Sequence, residues 1–210
     1  MESLQTGDIL LFTSPKHSSI GFFLLDYLIE KWTGSQLVHC GIVLKDPTFI
    51  HPTLKGLYLW DSGYENGDPD PQDGRKNKLG VQITPIYEYL KNSPGCSVYV
   101  RRFTGLKNKD VWSPVIMSHI HRTVYNKPYD TDMYDWLLAG IRADKTDSNQ
   151  WTTKRFWCSS FVTYVLSQLG LLSEKTEWDI VRPVDLSTSV IGPYSVQFKD
   201  NCYSNDVVLF

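Results

Sequence analysis

The sequence predicts a single α+β domain in which a small antiparallel sheet packs against helices. Three observations lead to this prediction: short apolar segments of strand length, longer segments with helical periodicity, and the mixed order of the two kinds along the chain. The chain has 210 residues, enough for one domain with its own hydrophobic core, and it shows no internal repeat. We therefore treat residues 1–210 as one domain.

Four short segments carry the apolar and β-branched residues that are typical of strands. They are Gly7–Phe12, Leu37–Leu44, Gly56–Trp60 and Ser97–Phe103. The third is the expected antiparallel partner of the second, to which a short connection with two prolines joins it. The tail from Tyr194 to Phe210 is expected to add one or two further strands.

Five segments have the apolar spacing or the boundary residues of helices. They are Ser18–Trp32, Asp110–Tyr125, Asp132–Arg142, Cys158–Leu169 and Pro183–Val190. A sixth helix is expected to begin with Thr84 as its N-cap and Pro85 at its first position. The helix that begins at Cys158 has the clearest pattern, because its apolar positions share one face and Gly170 follows its end.

The segment from Glu65 to Gly80 is the one clear loop, and we expect it to be a solvated surface insertion. It contains the Asp-Pro and Asp-Gly pairs that favour turns, and its acidic residues lack the ligand spacing of a calcium loop. The chain also has four cysteines, none of them in a Cys-x-x-Cys pair: Cys40, Cys96, Cys158 and Cys202. We therefore expect neither a metal ion nor a cofactor.

Charge and hydropathy indicate which partners and which cell compartment to expect. A formal net charge of −2 argues against a large surface for nucleic acid, and no apolar run is long enough for a transmembrane helix. The first residues lack the basic start and apolar stretch of a signal peptide, so we expect a cytoplasmic protein with free cysteines. The apolar segment Ile20–Leu25 either lines an acyl groove with peripheral lipid contact or is the buried side of a helix.

The most informative residue is Cys158, which opens the clearest helix. A thiol at the N-terminus of a helix lies near the positive end of the helix dipole and near unpaired N–H groups, which stabilise the thiolate. The same N–H groups suit an oxyanion, so Ser159 and Trp157 beside the thiol are candidates for oxyanion or substrate contacts. The alternative is an ordinary cysteine that fills space in the core.

A nucleophilic cysteine needs a base, and His39 is the best placed of the five histidines. It opens a predicted buried strand, and Gly41 on the same face leaves room for another segment or a substrate. If the strand that ends at Trp60 pairs antiparallel with this one, Asp61 lies beside His39 and orients the imidazole. Glu65 is the second candidate for that role. The alternatives are a histidine satisfied within the core and an aspartate that simply begins the acidic loop.

These residues give the chain a resemblance to a known superfamily. Four segments carry it, in this order: Gly7–Phe12, Val38–Leu44, Lys127–Asp130 and Phe156–Val162. They resemble the opening strand, the strand led by the catalytic histidine, the Pro-Tyr-Asp stretch and the start of the nucleophile helix of the circularly permuted NlpC/P60 superfamily. Within it, the chain is similar to the permuted amidases of the YiiX/YaeF type and to their relatives in large DNA viruses, including poxviruses.

The resemblance implies a papain-like α+β fold and a thiol hydrolase that works through an acyl-enzyme. Carried over by position, Cys158 is the nucleophile, His39 the base and Asp61 the third member, where the permuted enzymes mostly have glutamate. Tyr129 either lines the site and contacts substrate or braces a turn. The implied substrate is an amide or another acyl compound, namely a peptide, an isopeptide or a lipid. A viral member would act in the host cytoplasm or the virion.

Two other functions are compatible with the same residues. An acyltransferase or a lipid-directed hydrolase would use the same cysteine and histidine with a different acceptor. A non-enzymatic binding module would keep the fold without the reaction, and its cysteine would have ordinary reactivity. The intact pair of Cys158 and His39 favours an enzyme over the binding module.

Overall fold

A computed structural model describes residues 4–14, 30, 34–64, 69–105, 109–130, 154–189 and 195–209. The helices predicted at 132–142 and, apart from Glu30, at 18–32 lie outside these residues, as do the apolar segment 20–25 and Glu65. Within the described residues the architecture is α+β, as predicted, with an antiparallel sheet covered by helices.

In the described residues the sheet contains six strands, and every neighbouring pair is antiparallel. The strands are β1 (Ile9–Thr13), β2 (Leu37–Lys45), β3 (Leu57–Tyr64), β4 (Leu79–Pro85), β5 (Val98–Phe103) and β6 (Tyr203–Val208). Their order across the sheet is β4-β3-β2-β1-β5-β6, so β2 lies between β1 and β3. The predicted strands are confirmed, but β3 continues past its predicted end at Trp60 and includes Asp61.

Three α-helices are formed by the described residues: α1 (Ile86–Asn92), α2 (Pro114–Val124) and α3 (Cys158–Gln168). Short 3₁₀ helices lie at Lys109–Trp112, Pro183–Leu186 and Lys199–Asn201. The helix predicted from Cys158 is confirmed, and Gly170 follows it in the left-handed region at φ +68°. The helix predicted at 183–190 is present only as the 3₁₀ turn that ends at Leu186.

Two of the predicted helix starts are wrong. Thr84 and Pro85 belong to β4, where Thr84 pairs with Leu59, and Pro85 precedes α1 as its N-cap instead of beginning the helix. Pairing with β3 therefore outweighs the local capping pattern. The helix predicted at 110–125 is a 3₁₀ turn followed by α2, because Pro114 takes the first helical position and starts a new helix.

The central strands of the sheet are buried on both faces, which explains why β1 and β2 have nearly continuous apolar sequences. Alternate residues of a strand face opposite sides, so the strands contribute to two cores. On one face, Cys40, Ile42 and Trp60 share a core with residues of α2 and α3. On the other face, Val43 and Leu59 share a core with residues of α1.

Helix α3 is buried on its polar side as well as on its apolar side. Ser159 Oγ donates a hydrogen bond to the carbonyl oxygen of Val181, and Thr163 Oγ1 donates one to that of Trp178, both at 2.6 Å. The helix contains no charged residue, and the hydroxyls of Ser159 and Thr163 find acceptors in the segment at 178–181. This segment therefore covers the face that a purely amphipathic pattern would leave in water.

The loop between β3 and β4 is tied to the domain in its described part. Lys78 Nζ lies 2.6 Å from Asp70 Oδ2, and both side chains are buried. Arg75 bonds to Asp73 within the loop and to Asn126 just after α2. The expected solvated insertion is thus only partly solvated, because opposite charges within the loop neutralise one another and allow it to pack against α2.

Candidate active site

His39 and Asp61 lie side by side on neighbouring strands. His39 is near the start of β2, and Asp61 follows the last residue of β3 that pairs with β2, where Trp60 is opposite Ile42. Nε2 of His39 is 2.7 Å from Oδ2 of Asp61. The side chain of Asp61 is 1% exposed, so little water competes for its carboxylate. The antiparallel pairing therefore brings together the two residues, as the sequence predicts.

Two glycines make room for this pair. A side chain at Gly63 would place its Cβ 2.9 Å from Oδ2 of Asp61 and 3.2 Å from Cε1 of His39. A side chain at Gly41 would place its Cβ 2.6 Å from Cδ1 of Leu59 and 3.1 Å from Cβ of Asp61. The space predicted beside Gly41 is therefore filled by β3, and the missing side chains allow the imidazole and the carboxylate to meet.

The start of α3 is held in place by the segment Lys127–Asp130. Pro128 bridges to Gly80 of β4, and Tyr129 bridges to Phe156 just before α3. Gly80, at φ +141°, has no side chain that would collide with the main chain of this segment. Of the two roles predicted for Tyr129, contacting substrate and bracing the chain, its main chain has the second, because it joins this segment to Phe156.

Cys158 is the first residue of α3, and its sulfur lies against β2. Sγ is 3.8 Å from the carbonyl oxygen of Val38. Cys158 and His39 act on each other's pKa, raising that of the imidazole and lowering that of the thiol, so the two groups lie within electrostatic reach of one another. Because Asp61 occupies Nε2 of that ring, Nδ1 is the nitrogen left for the sulfur. The three predicted residues are therefore brought into one cluster.

The first turn of α3 offers main-chain donors rather than side chains. Trp157, at the N-cap, makes no side-chain capping hydrogen bond, and the first intrahelical donor is the N–H of Phe161. The N–H groups of the preceding three residues thus have no acceptor within the helix. The hydroxyl of Ser159 donates to the carbonyl oxygen of Val181, so the N–H of Ser159 is the donor left for the predicted oxyanion or substrate contact. Trp157, the other candidate for such a contact, is largely buried, at 8% exposed.

The charges in the site favour an ion pair. Burial lowers the pKa of His39, but hydrogen bonds with Asp61 and Cys158 outweigh burial and raise it to about 10. The pKa of Cys158 lies well below its usual range: a hydrogen bond with Cys40 lowers it most, burial opposes this, and the charge of His39 lowers it further. Burial raises the pKa of Asp61, and the hydrogen bond with His39 counteracts the rise. At neutral pH these shifts favour a thiolate beside an imidazolium.

Aromatic rings enclose the imidazole of His39. The ring of Tyr89 on α1 stacks on it with centroids 6.0 Å apart and an angle of 17° between the planes, and the ring of Phe12 lies at 5.8 Å. The side chain of His39 is 17% exposed, whereas Cys158 is 3% exposed. Solvent therefore reaches the pair from the side of the imidazole.

Sequence reasoning missed one residue of this site, Cys40. It is fully buried in the core that also contains Cys158, and burial, followed by the neighbouring Cys158, raises the pKa of its thiol well above the ordinary value. The sequence offers one signal for Cys40, its position directly after His39 in a strand. Side chains alternate between the two faces of a strand, so Cys40 lies on the face of β2 opposite to His39. Which face of β2 the helix α3 covers is not encoded locally, so the presence of Cys40 in the same core as Cys158 could not be predicted.

The described residues contain no group of three or more His, Cys, Asp and Glu side chains that is placed to hold a metal ion. All four cysteines are free thiols. In the same part of the chain, no helix combines the length and the apolar composition needed to span a membrane.

The sequence has a relative among viral proteins. No protein family model matches the chain. It is 25% identical over 208 residues to the uncharacterized protein R372 of Acanthamoeba polyphaga mimivirus, in an alignment that covers 93% of this chain and 74% of the mimivirus protein. The chain therefore has a viral homologue.

Proposed function

We propose that the protein is a thiol hydrolase of the circularly permuted NlpC/P60 type, which cleaves an amide or a related acyl bond through an acyl-enzyme. The observation that supports the proposal is one cluster of three side chains. Cys158 opens α3, the charge of His39 lowers the pKa of its thiol, and Asp61 lies 2.7 Å from the imidazole. A nucleophile, a base and an orienting acid in contact are what thiol-dependent acyl transfer requires.

In the proposed reaction, the thiolate of Cys158 attacks the carbonyl carbon of the substrate, and the carbonyl oxygen becomes an oxyanion. The N–H groups at the start of α3 donate hydrogen bonds to this oxyanion. The imidazolium of His39 gives its proton to the leaving amine, which departs and leaves an acyl-cysteine. Neutral His39 then takes a proton from a water molecule, whose oxygen attacks the acyl carbon and releases the acid. Asp61 keeps the ring oriented and stabilises its charged form.

The order of the elements also supports the permuted arrangement. The strand that carries His39 precedes the helix that opens with Cys158, and an antiparallel sheet lies beneath that helix. An acyltransferase would use the same three residues with another acceptor. The segment 20–25, which would contact an acyl chain, lies outside the described residues, so hydrolysis is the function we argue for.

The first experiment measures the alkylation rate of each cysteine by iodoacetamide against pH, using peptide mass mapping of the wild type and of His39→Ala. Cys158 should react at neutral pH with an inflection well below the ordinary value of 9.0, because the imidazolium stabilises its thiolate. In His39→Ala the inflection should move up towards that value. An ordinary inflection for Cys158 in the wild type would favour a binding module.

A second experiment tests the reaction itself by acylation with a panel of p-nitrophenyl esters and p-nitroanilides. An acyl group should be trapped on Cys158 and then released by water, and Cys158→Ala should neither trap the group nor release product. Cys202→Ala is the matched control, because Cys202 is also a buried free cysteine but is not in the cluster. Turnover retained by Cys158→Ala would contradict the proposed function.

A further inference from the structure

Ser62 is a buried polar side chain next to Asp61 that the proposed reaction does not use. Its exposure is 0%, and its Oγ donates a hydrogen bond of 2.6 Å to the carbonyl oxygen of Phe156. Side chains alternate between the two faces of a strand, so Ser62 faces the side of β3 opposite to Asp61. This is the side of Trp60, which shares a core with residues of α3. Adjacent residues of one strand thus point to the imidazole and to the chain that leads into α3.

Phe156 lies two residues before the nucleophile, and three hydrogen bonds among the described residues hold its main chain. Its N–H donates to the carbonyl oxygen of Pro128 at 3.2 Å, and its carbonyl oxygen accepts from the N–H of Asp130 at 3.1 Å. These two bonds join main chain to main chain, so they do not depend on the side chains present. The third bond, from Ser62, requires a hydroxyl and is the shortest of the three. Ser62 and Phe156 are both 0% exposed, so water does not compete for this bond.

The bond from Ser62 restricts how the chain enters α3. A trans peptide is planar, so the carbonyl group of Phe156 and the N–H of Trp157 turn together. Only φ and ψ of Trp157 lie between this peptide and the one that carries the N–H of Cys158. Trp157 is extended, at φ −85° and ψ 174°, and its carbonyl oxygen accepts the N–H of Phe161 in the first turn of α3. Fixing the peptide after Phe156 therefore limits where the thiol and the first N–H groups of α3 can point.

The position of the thiol matters because its neighbours on β2 act at short range. The sulfur of Cys158 lies 3.8 Å from the carbonyl oxygen of Val38, and the charge of His39 lowers the pKa of the thiol. The attraction between opposite charges weakens as their separation grows. A displacement of the start of α3 away from β2 would therefore remove part of the support that the imidazolium gives to the thiolate.

We propose that Ser62 is a positioning residue, whose hydrogen bond to Phe156 holds the start of α3 so that the nucleophilic thiol stays beside the imidazole. This inference rests on the proposed function, because it concerns the same nucleophile and the same base. It gives β3 two tasks in the site. Asp61 orients the imidazole from one face of the strand, and Ser62 holds the helix of the nucleophile from the other. One strand thereby sets the placement of the base relative to the nucleophile.

The test removes the hydroxyl in Ser62→Ala and keeps it in Ser62→Thr, and it measures the pH midpoint for alkylation of Cys158. The main-chain bond from Asp130 remains in both variants, so the chain before α3 should shift and not unfold. The midpoint should rise in Ser62→Ala by about 0.5–1 unit, which lowers the thiolate fraction below the midpoint about three- to tenfold. It should stay near the wild-type value in Ser62→Thr, because the threonine hydroxyl can donate the same bond.

Tyr203→Phe is the matched control, because it also removes a buried hydroxyl that donates to a main-chain carbonyl oxygen, that of Gly7 at 2.8 Å. The N–H of Gly7 donates to Val43, towards the end of β2 that is away from His39. Both variants should lose stability in chemical denaturation, but only Ser62→Ala should raise the midpoint. A hydroxyl with a purely structural role would leave the midpoint unchanged in both.

A wild-type midpoint in Ser62→Ala would overturn the proposal, and so would a rise in Ser62→Thr as large as that in Ser62→Ala. If the alanine variant does not fold, Ser62→Cys nearly keeps the volume with a much weaker donor, and it must then show the rise.

Alkylation requires no substrate, so this test is independent of turnover. A low midpoint of Cys158 that depends on Ser62, in a protein that hydrolyses no acyl compound, would contradict the proposed function and leave the role of Ser62 intact. Turnover that needs Cys158, together with an unchanged midpoint in Ser62→Ala, would do the reverse.

Discussion

Asp61 and His39 meet at 2.7 Å between Oδ2 and Nε2, on one face of two antiparallel strands. A buried carboxylate that accepts a hydrogen bond from a histidine fixes the tautomer of the ring and favours its charged form. Among the described residues, the other oxygen of Asp61, Oδ1, has no hydrogen-bond partner. The imidazole is therefore the group that compensates for the burial of this carboxylate.

Asp61→Asn should keep the imidazole in place and weaken its positive charge. The amide oxygen can still accept the Nε2 hydrogen bond, but loss of the carboxylate should lower the pKa of His39 by about 1–3 units. The pKa of Cys158 should then rise, and any hydrolysis should fall by about 10²–10⁴-fold. NMR titration of the imidazole and the alkylation profile of Cys158 measure the two shifts.

The matched control is Asp179→Asn, because Asp179 is a partly buried carboxylate whose pKa is raised by burial and which does not contact His39. It should change neither profile. An unchanged His39 titration in Asp61→Asn would show that the carboxylate does not support the imidazolium.

Gly63→Ala should disturb the same pair without removing either partner. The new Cβ would lie 2.9 Å from Oδ2 of Asp61, and the buried carboxylate has little space in which to retreat. We expect a shifted carboxylate, a higher midpoint for alkylation of Cys158 and a stability loss of about 1–3 kcal/mol from overpacking. Ile120→Val, a buried change on α2, controls for the stability loss and should leave the midpoint unchanged. A Gly63→Ala protein with the wild-type midpoint would refute this steric argument.

The triad candidates were predictable because each rests on a local signal. Cys158 opens an uncharged helix, His39 lies near the start of an apolar strand, and Asp61 follows the strand expected to pair with it. Antiparallel pairing then converts positions in sequence into neighbours in space. Whether Cys40 shares a core with Cys158 depends instead on which face of β2 the helix covers, and this is decided by the packing of the whole sheet.

The loop before β4 shows the opposite case, in which local composition misleads. Its prolines, glycines and charged residues are typical of a solvated segment with turns, and the structure does form turns there. Burial of Lys78 depends on two carboxylates that lie five and eight positions earlier, Asp73 and Asp70. Compensation of charge across such a loop leaves no periodic pattern that a sequence-based prediction can use.

Lys78→Met should destabilise the domain by about 3–5 kcal/mol, because it leaves the carboxylate of Asp70 buried without its cation. Adding Asp70→Asn should recover part of this loss, since the uncompensated charge is then removed. Chemical denaturation of the single and double variants measures the coupling. Lys76→Met is the control, because Lys76 is exposed in the same loop and should change stability by less than about 0.5 kcal/mol. Strictly additive losses in the double variant would contradict the ion pair.

His121 on α2 should make the domain less stable in acid. Burial lowers its pKa to about 4; the nearby charge of Asp70 opposes this, and that of Lys78 adds to it. In the unfolded chain a histidine titrates near 6.5, so between pH 6.5 and 4 the unfolded state binds one more proton than the folded state. Stability therefore falls as the pH falls, with a limiting slope of about 1.4 kcal/mol per pH unit from this residue.

His121→Gln should remove this loss, because glutamine does not titrate and can still bond to Gln72, the partner of the histidine. The measurement is the free energy of unfolding at pH 7 and pH 5. The loss between the two should be smaller in His121→Gln than in the wild type, by about 1–2 kcal/mol once partial exposure of the ring is allowed for. His119→Gln, an exposed position on the same helix, should behave like the wild type. Equal losses in all three proteins would mean that His121 accepts its proton as readily in the folded chain as in the unfolded one.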